Sequence, residues 1–236
     1  MSVAFTANDS RLITAAWDGA ITQWSTESTG DPTSLPPQSS TIAQVSIDFE
    51  DQLLSIALRD GTTRLWSLAK GSELRSFQQN DALKSTAFSP DGLQVISAGM
   101  DGVAQIWDGD MGRTVHTLWA DPDGIGAVAF SPDGRYLVTA GFSGTARFWD
   151  AKSGEELLTM AGFQAGWTAV AFPPYAQRKL PHHVALASRD GTVRFFDLEL
   201  PDLIARAQKL LKKGPKTFTN DDCRRYLHVK ACPAEP

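Results

Sequence analysis

Apolar and polar residues alternate along the first 200 positions in short runs broken by turn residues. Thr86-Ala87-Phe88, Gln94-Val95-Ile96-Ser97-Ala98 and Val103-Ala104-Gln105-Ile106-Trp107 are three such runs in succession. A period of two places successive side chains on opposite faces, so each run predicts a strand with one face in a core. Ser89-Pro90-Asp91-Gly92 and Ser131-Pro132-Asp133-Gly134 predict turns, since proline presets the backbone angle and glycine accepts a positive φ. Asp-Gly ahead of the third strand of a set reads as a two-residue hairpin. Helical periodicity is absent up to residue 200 and begins after Pro201, where Leu203, Ile204, Ala207, Leu210 and Leu211 share one helix face. Lys212, Lys213 and Gly214-Pro215 end that helix, and Thr219 begins a second short one. The expected organisation is an all-β body over 1–200 and a short C-terminal helical tail over 201–236.

The strand sets repeat. Asp18-Gly19 with Trp24, Asp60-Gly61 with Trp66, Asp101-Gly102 with Trp107, Ser143-Gly144 with Trp149 and Asp190-Gly191 with Phe196 place an aromatic six residues after the acid or its substitute. Successive aromatics lie 42, 41, 42 and 47 residues apart, the period of a four-stranded antiparallel propeller blade. The segments DGTTRLW, DGVAQIWD, SGTARFWD and DGTVRFFD, each after a strand such as VISAG or LVTAG and a turn such as AFSPDG, resemble the WD-repeat family of β-propellers. The resemblance recurs in register over about 200 residues. It implies blades around a central channel and surfaces that hold other proteins, and it implies no active site.

The chain departs from the family pattern in two ways. WD blades often join a His, a second-strand Ser or Thr, the turn Asp and the third-strand Trp through hydrogen bonds. The His positions here hold Gln79, Asp121 and Phe163; the hydroxyl is kept as Thr14, Ser97 and Thr139 but replaced by Ile56 and Leu186. No blade is therefore expected to form the full network. The second departure concerns closure. Residues 1–5 already read as the first strand of the first unit, and the chain turns helical after Phe196-Asp197-Leu198, so the shared blade that latches closed WD rings is not expected. The expected fold is thus a partial, five-repeat WD-type propeller. It is read as a fragment of a longer propeller, as an arc completed by another chain or copy, or as a five-bladed ring closed without a latch.

Charge is distributed unevenly. Eight of the 22 Lys and Arg but only four of the 27 Asp and Glu lie beyond residue 200, giving a tail near +4 and a body near −9. An acidic body repels phosphates and anionic lipid, so neither nucleic acid nor a membrane is an expected partner. No signal peptide or apolar run of membrane-spanning length is seen, and both cysteines, Cys223 and Cys232, lie in the tail; a cytoplasmic location is expected. The tail stretch FTNDDCRRYLHVKACP resembles the C-terminal tails found after WD repeats in bacterial regulatory proteins, some of which carry kinase or signal-transduction ATPase modules. This implies a bacterial source and a sensor or scaffold role.

Candidate chemistry is sparse. Cys223, His228 and Cys232 supply three metal-ligating groups without finger spacing, and His182-His183 lies in a loop insertion, so no metal site is expected. Phosphate-loop, nucleophile-elbow and His-Glu-x-x-His patterns are absent, and no cofactor is expected. Asp18, Asp60, Asp101 and Asp190 are assigned to turn geometry, and Trp24, Trp66, Trp107 and Trp149 to the blade core. The residue before each Asp-Gly or Ser-Gly pair faces the rim: Trp17, Arg59, Met100, Phe142 and Arg189, with Trp167 leading into the last unit. Aromatics, Met and Arg are the types enriched at interface hot spots. The expected function is a non-catalytic protein-interaction scaffold or sensor in a bacterial signalling assembly, with self-association through an open propeller edge as a further expectation. The other reading is a truncated fragment of a longer seven-bladed regulator.

Overall fold

A computed structural model describes residues 1–6, 9–27, 30–161, 163, 165–173 and 183–197. The predicted tail, with Cys223, His228 and Cys232, and also His182 lie outside the described residues. Within them the fold is all-β, and the period-two runs form five antiparallel sheets in chain order. Blade I contains β1 (Ser2–Phe5), β2 (Arg11–Ala15), β3 (Ile21–Ser25) and β4 (Thr33–Leu35). Blade II contains β5 (Ile42–Ile47), β6 (Leu53–Leu58), β7 (Thr62–Ser67) and β8 (Ser72–Gln78). Blade III contains β9 (Leu83–Phe88), β10 (Gln94–Gly99), β11 (Val103–Asp108) and β12 (Thr114–Trp119). Blade IV contains β13 (Ile125–Phe130), β14 (Tyr136–Gly141), β15 (Ala146–Asp150) and β16 (Glu156–Met160). Blade V contains β17 (Trp167–Ala171), β18 (His183–Ser188) and β19 (Val193–Asp197). The first strand of each blade is innermost, and β1, β5, β9, β13 and β17 pack in succession around a central cavity.

Blades adhere through their faces. Ile96, Ala98, Ala104 and Ile106 of blade III meet Val128, Phe130, Leu137 and Trp149 of blade IV in one cluster, and equivalent residues bury the other interfaces. Polar stitches join the innermost strands. The backbone N–H of Val45 donates to Ser2 Oγ (3.1 Å), that of Thr86 to Gln44 Oε1 (3.0 Å) and that of Val128 to Ser85 Oγ (3.0 Å). Each ties a blade to the one before it. Between blades IV and V Ala127 stands at the acceptor position, and close backbone approach takes over: a Cβ on Gly126 would overlap the carbonyl oxygen of Trp167.

The Asp-Gly hairpins differ from the two-residue expectation. In blade I, Ala16 N–H donates to the Ala20 carbonyl (2.9 Å) and Gly19 N–H to the Ala16 carbonyl (3.2 Å), so the loop is Trp17-Asp18-Gly19. Only the glycine has a positive φ (+89°), which makes a type I turn followed by a left-handed glycine bulge. The acid fixes it: Asp18 Oδ1 accepts the Ala20 N–H at 3.0 Å, and Asp60, Asp101 and Asp190 accept the N–H groups of Thr62, Val103 and Thr192 at 2.9, 3.1 and 2.9 Å.

The hydrogen-bonded relay, expected to be incomplete everywhere, is complete in blade III. Trp107 Nε1 donates to Ser97 Oγ (2.9 Å), Ser97 Oγ donates to Gln79 Oε1 (2.9 Å), and Gln79 Nε2 reaches Asp101 (3.4 Å) and the Val103 carbonyl (2.8 Å). A glutamine amide accepts at one end and donates at the other, as a neutral imidazole does, so Gln79 serves where a His was thought necessary. Blade IV exchanges partners: Asp121 occupies the His position and accepts from Ser143 Oγ at the turn, while Trp149 Nε1 donates to Thr139 Oγ1 (3.1 Å). In blade II, Ile56 interrupts the relay, and the groups it should join, Gln38 Oε1 and Trp66 Nε1, are buried without a partner. Blade V replaces polarity with aromatics, Phe163 lying 6.1 Å from Phe196 and 4.7 Å from Trp167.

The two end blades each carry an apolar face that matches a buried one elsewhere. On blade I, Val3, Phe5 and Trp24 are 49, 59 and 42% exposed; Phe88 and Phe130, which correspond to Phe5, are 9 and 8% exposed. On blade V, Val193 and Phe195 are 56 and 76% exposed, whereas Leu65, Ile106 and Phe148, which correspond to Phe195, are at most 1% exposed. Among the described residues no packing comparable to β13 on β17 joins β17 to β1.

Candidate protein-docking face

The three-residue hairpin loops decide where the rim residues sit. Four of the five first loop residues hang their backbone N–H on the residue leading into their blade's innermost strand: Arg59 on the Thr41 carbonyl (2.9 Å), Met100 on Ala82 (3.0 Å), Phe142 on Gly124 (2.9 Å) and Arg189 on Gly166 (3.0 Å). These bonds bring four of the predicted residues to one end of the propeller, where the innermost strands begin. Trp17 holds the same position in the loop of blade I and is largely exposed.

The five side chains play different parts. Trp17 and Met100 project into solvent, and Arg59 is exposed. Phe142 is half-buried, its ring lying against Gly124 and Gly126, and it supports the Arg189 guanidinium 4.5 Å above its centroid. The structure thus builds Phe142 and Arg189 into one unit. Trp167 does not belong with them: the first residue of β17, it is fully buried, and its alternation in the strand turns the indole into the core against Phe163. Its place directly after a Gly-containing loop suggested exposure; its position on the strand decides otherwise.

The central channel implied by the resemblance is present beneath this rim as a cavity. It has a volume of about 250 Å³ and is lined by the innermost strands of all five blades. At the equivalent wall position the blades present Met1, Ala43, Lys84, Gly126 and Thr168, so Lys84 is the charged one of the set. Burial pushes the Lys84 ammonium below its ordinary range, and Arg59 and Arg189 push it further the same way. A basic residue at the second position of an innermost strand, where the other units have small or apolar ones, was the available signal.

Among the described residues no group of three or more His, Cys, Asp or Glu could hold a metal ion. The described residues contain no helix long and apolar enough to cross a membrane.

Comparison with known proteins gives this geometry a family context. The profile of the family described as WD domain, G-beta repeat matches residues 71–108 and 112–150. The matches take in the inner three strands of the third and fourth blades. Each matched stretch begins near the outer strand of one blade and ends on the third strand of the next, so the repeat unit itself spans a blade interface. Together with the five sheets, these matches support a WD-repeat β-propeller. The chain is 28% identical over 112 residues to Telomerase protein component 1 of Mus musculus, covering 47% of this chain and 4% of that protein. It is 27% identical over 97 residues to Small ribosomal subunit protein RACK1y of Oryza sativa subsp. japonica, covering 41% and 29%. To Apoptotic protease-activating factor 1 of Rattus norvegicus it is 28% identical over 109 residues, covering 46% and 9%. The aligned segments thus span less than a third of these relatives.

Proposed function

We propose that the chain is a non-catalytic protein-interaction module whose docking face is the rim formed by Trp17, Arg59, Met100 and the Phe142–Arg189 pair. The observation that carries this reading is the exposure of Trp17 and Met100 on hydrogen-bonded hairpin loops, the Met100 loop being pinned to the lead into its innermost strand. Large side chains presented on a rigid frame lose little conformational freedom when a partner covers them. Two of the relatives are named as components of larger assemblies, a telomerase and a small ribosomal subunit, which fits a scaffold. WD propellers are generally non-enzymatic, in keeping with a site that offers contacts rather than reacting groups. The bacterial signalling context and the cytoplasmic setting belong to the same proposal; the former rests on the tail's resemblance, while the relatives above are eukaryotic.

Selection of a random peptide library on the immobilised chain tests the docking face. Selected peptides are expected to lose about ten-fold or more in affinity on the Trp17→Ala, Met100→Ala double variant, since central aromatic anchors contribute roughly 2 kcal/mol or more. Unchanged affinity with an unchanged melting curve would place docking elsewhere.

A second reading is favoured by the exposed faces of blades I and V. Val3, Phe5 and Trp24 on one side and Val193 and Phe195 on the other are the two halves of an interface that recurs between the blades, so a further blade fits between them. In this reading the chain is a segment of a longer WD-repeat regulator and its five blades form an open arc. Further Asp-Gly-x4-Trp units in the coding sequence upstream of Met1 are then expected. Their absence, with a dimer by analytical ultracentrifugation, would instead point to copies meeting through these faces.

A further inference from the structure

Three cations converge on the mouth of the central cavity. Lys84 stands on its wall in β9, and Arg59 and Arg189 occupy the first loop positions of blades II and V, close enough for both guanidiniums to act on the Lys84 ammonium. Arg64, Arg113, Arg147 and Arg194 pair with Glu73, Asp108, Glu156 and Asp190, but Lys84, Arg59 and Arg189 have no ion-pair partner among the described residues. The nearby acids keep their charge but are held in their own loops, outside the cavity lining. Asp60 and Asp190 accept the N–H groups of Thr62 and Thr192, and Asp81 accepts the Ala82 N–H at 2.6 Å. No carboxylate lines the cavity among the described residues; its polar lining is Ser2, Gln44, Ser85 and Thr168 beside Lys84.

Three like charges brought together at a cavity whose lining holds no carboxylate mark a place where an anion belongs. We propose that the cavity mouth binds the carboxylate side chain of an acidic peptide, with Lys84 receiving it inside and Arg59 and Arg189 closing over it from the rim. The proposal rests on the docking-face reading and names the chemistry of its partner. Arginine forks hold carboxylates in two-pronged fashion, while a lysine supplies a compact charge at the base of a pocket. A cavity of about 250 Å³ admits a side chain. An extended nucleic acid is disfavoured because the first 200 residues carry a net charge near −9.

The test uses the full 236-residue chain and two fluorescein-labelled peptides, with a central Glu-Glu-Glu or Gln-Gln-Gln between Gly-Ser flanks, followed by fluorescence anisotropy. The Glu peptide is expected to bind about ten-fold more tightly, and Lys84→Gln is expected to abolish that preference. Arg59→Gln and Arg189→Gln should each reduce it about three-fold. Arg135→Gln, on the Ser131–Tyr136 turn at the other end of the strands, should leave it unchanged. Lys84→Gln should melt no lower than the parent, because it relieves a crowded charge; should it fail to fold, the exposed Arg59 variant carries the test. Equal binding of the two peptides, or an equal loss with Arg135→Gln, would overturn the proposal. Preferential displacement by a single-stranded oligonucleotide would overturn the peptide assignment. If the Glu preference is missing while library-selected peptides still depend on Trp17 and Met100, the charge assignment falls and the docking face stands. Loss of both removes the face itself.

Discussion

Position 56 carries an Ile where Thr14, Ser97 and Thr139 place a hydroxyl, and the consequence falls on its neighbours rather than on itself. Ile56 is fully buried, but Gln38 Oε1 and Trp66 Nε1 on either side are buried and unpaired. A buried polar group without a partner costs about 1–3 kcal/mol, whereas the lost apolar area of an Ile-to-Thr change costs roughly 1–2 kcal/mol. Ile56→Thr is therefore expected to raise stability by about 1 kcal/mol, read as a shift in the urea midpoint; a loss of similar size would show that the relay does not re-form. The converse holds in blade III, where Ser97→Ala strands both Trp107 Nε1 and Gln79 Oε1 and is expected to cost about 2–3 kcal/mol. At this scale the residue pattern located the relay positions of blades III to V but neither Gln38 of blade II nor the chemistry of Gln79. Gln79 was passed over because its substitution for His is visible only once the amide is seen bridging Ser97 and Asp101. Trp167 was misplaced because a residue at a loop–strand junction is assigned to one or the other only by the register of β17 with β18.

At the scale of the element, the strand sets were legible because each blade buries alternate residues between two others, a requirement that imposes period two on the sequence. The hairpins were less so. Asp-Gly fits both a two-residue turn and a three-residue loop with a glycine bulge, and the closing bond from the Ala16 N–H to the Ala20 carbonyl shows that blade I takes the longer loop. That choice matters for function, since it presents Trp17, Arg59, Met100, Phe142 and Arg189 as the leading residues of their loops. Gly126 is the element-level counterpart of the polar stitches, letting β13 approach β17 where Ala127 offers no acceptor. Gly126→Ala forces its Cβ onto the Trp167 carbonyl and the Phe142 ring. It is expected to destabilise blade V by a few kcal/mol, about the cost of overpacking, and to expose Trp167, seen as a red shift of its emission at denaturant concentrations where the other blades persist. Coincident loss of all structure would instead mean that the blades unfold as one unit.

For the whole molecule, the repeat count and blade order followed from spacing, while the state of the end faces did not, because a repeat pattern is the same in an arc and in a ring. The contrast between Phe5 and Phe88, or Phe195 and Phe148, records a face without a neighbour. One-dimensional logic explains why the interior blades hold together: each interface is buried by its own two partners. The central claim, that the five-blade propeller presents Trp17 on its rim and, among the described residues, exposed apolar faces on blades I and V, is tested most directly by hydroxyl-radical footprinting of the monomeric chain with residue-level mass spectrometry. Trp17, Trp24 and Phe195 are predicted to be modified readily, with Trp66, Trp107, Trp149, Trp167 and Phe148 protected. Protection of Trp24 and Phe195 to the level of Trp107 and Phe148, or of Trp17 to that of Trp167, would contradict it.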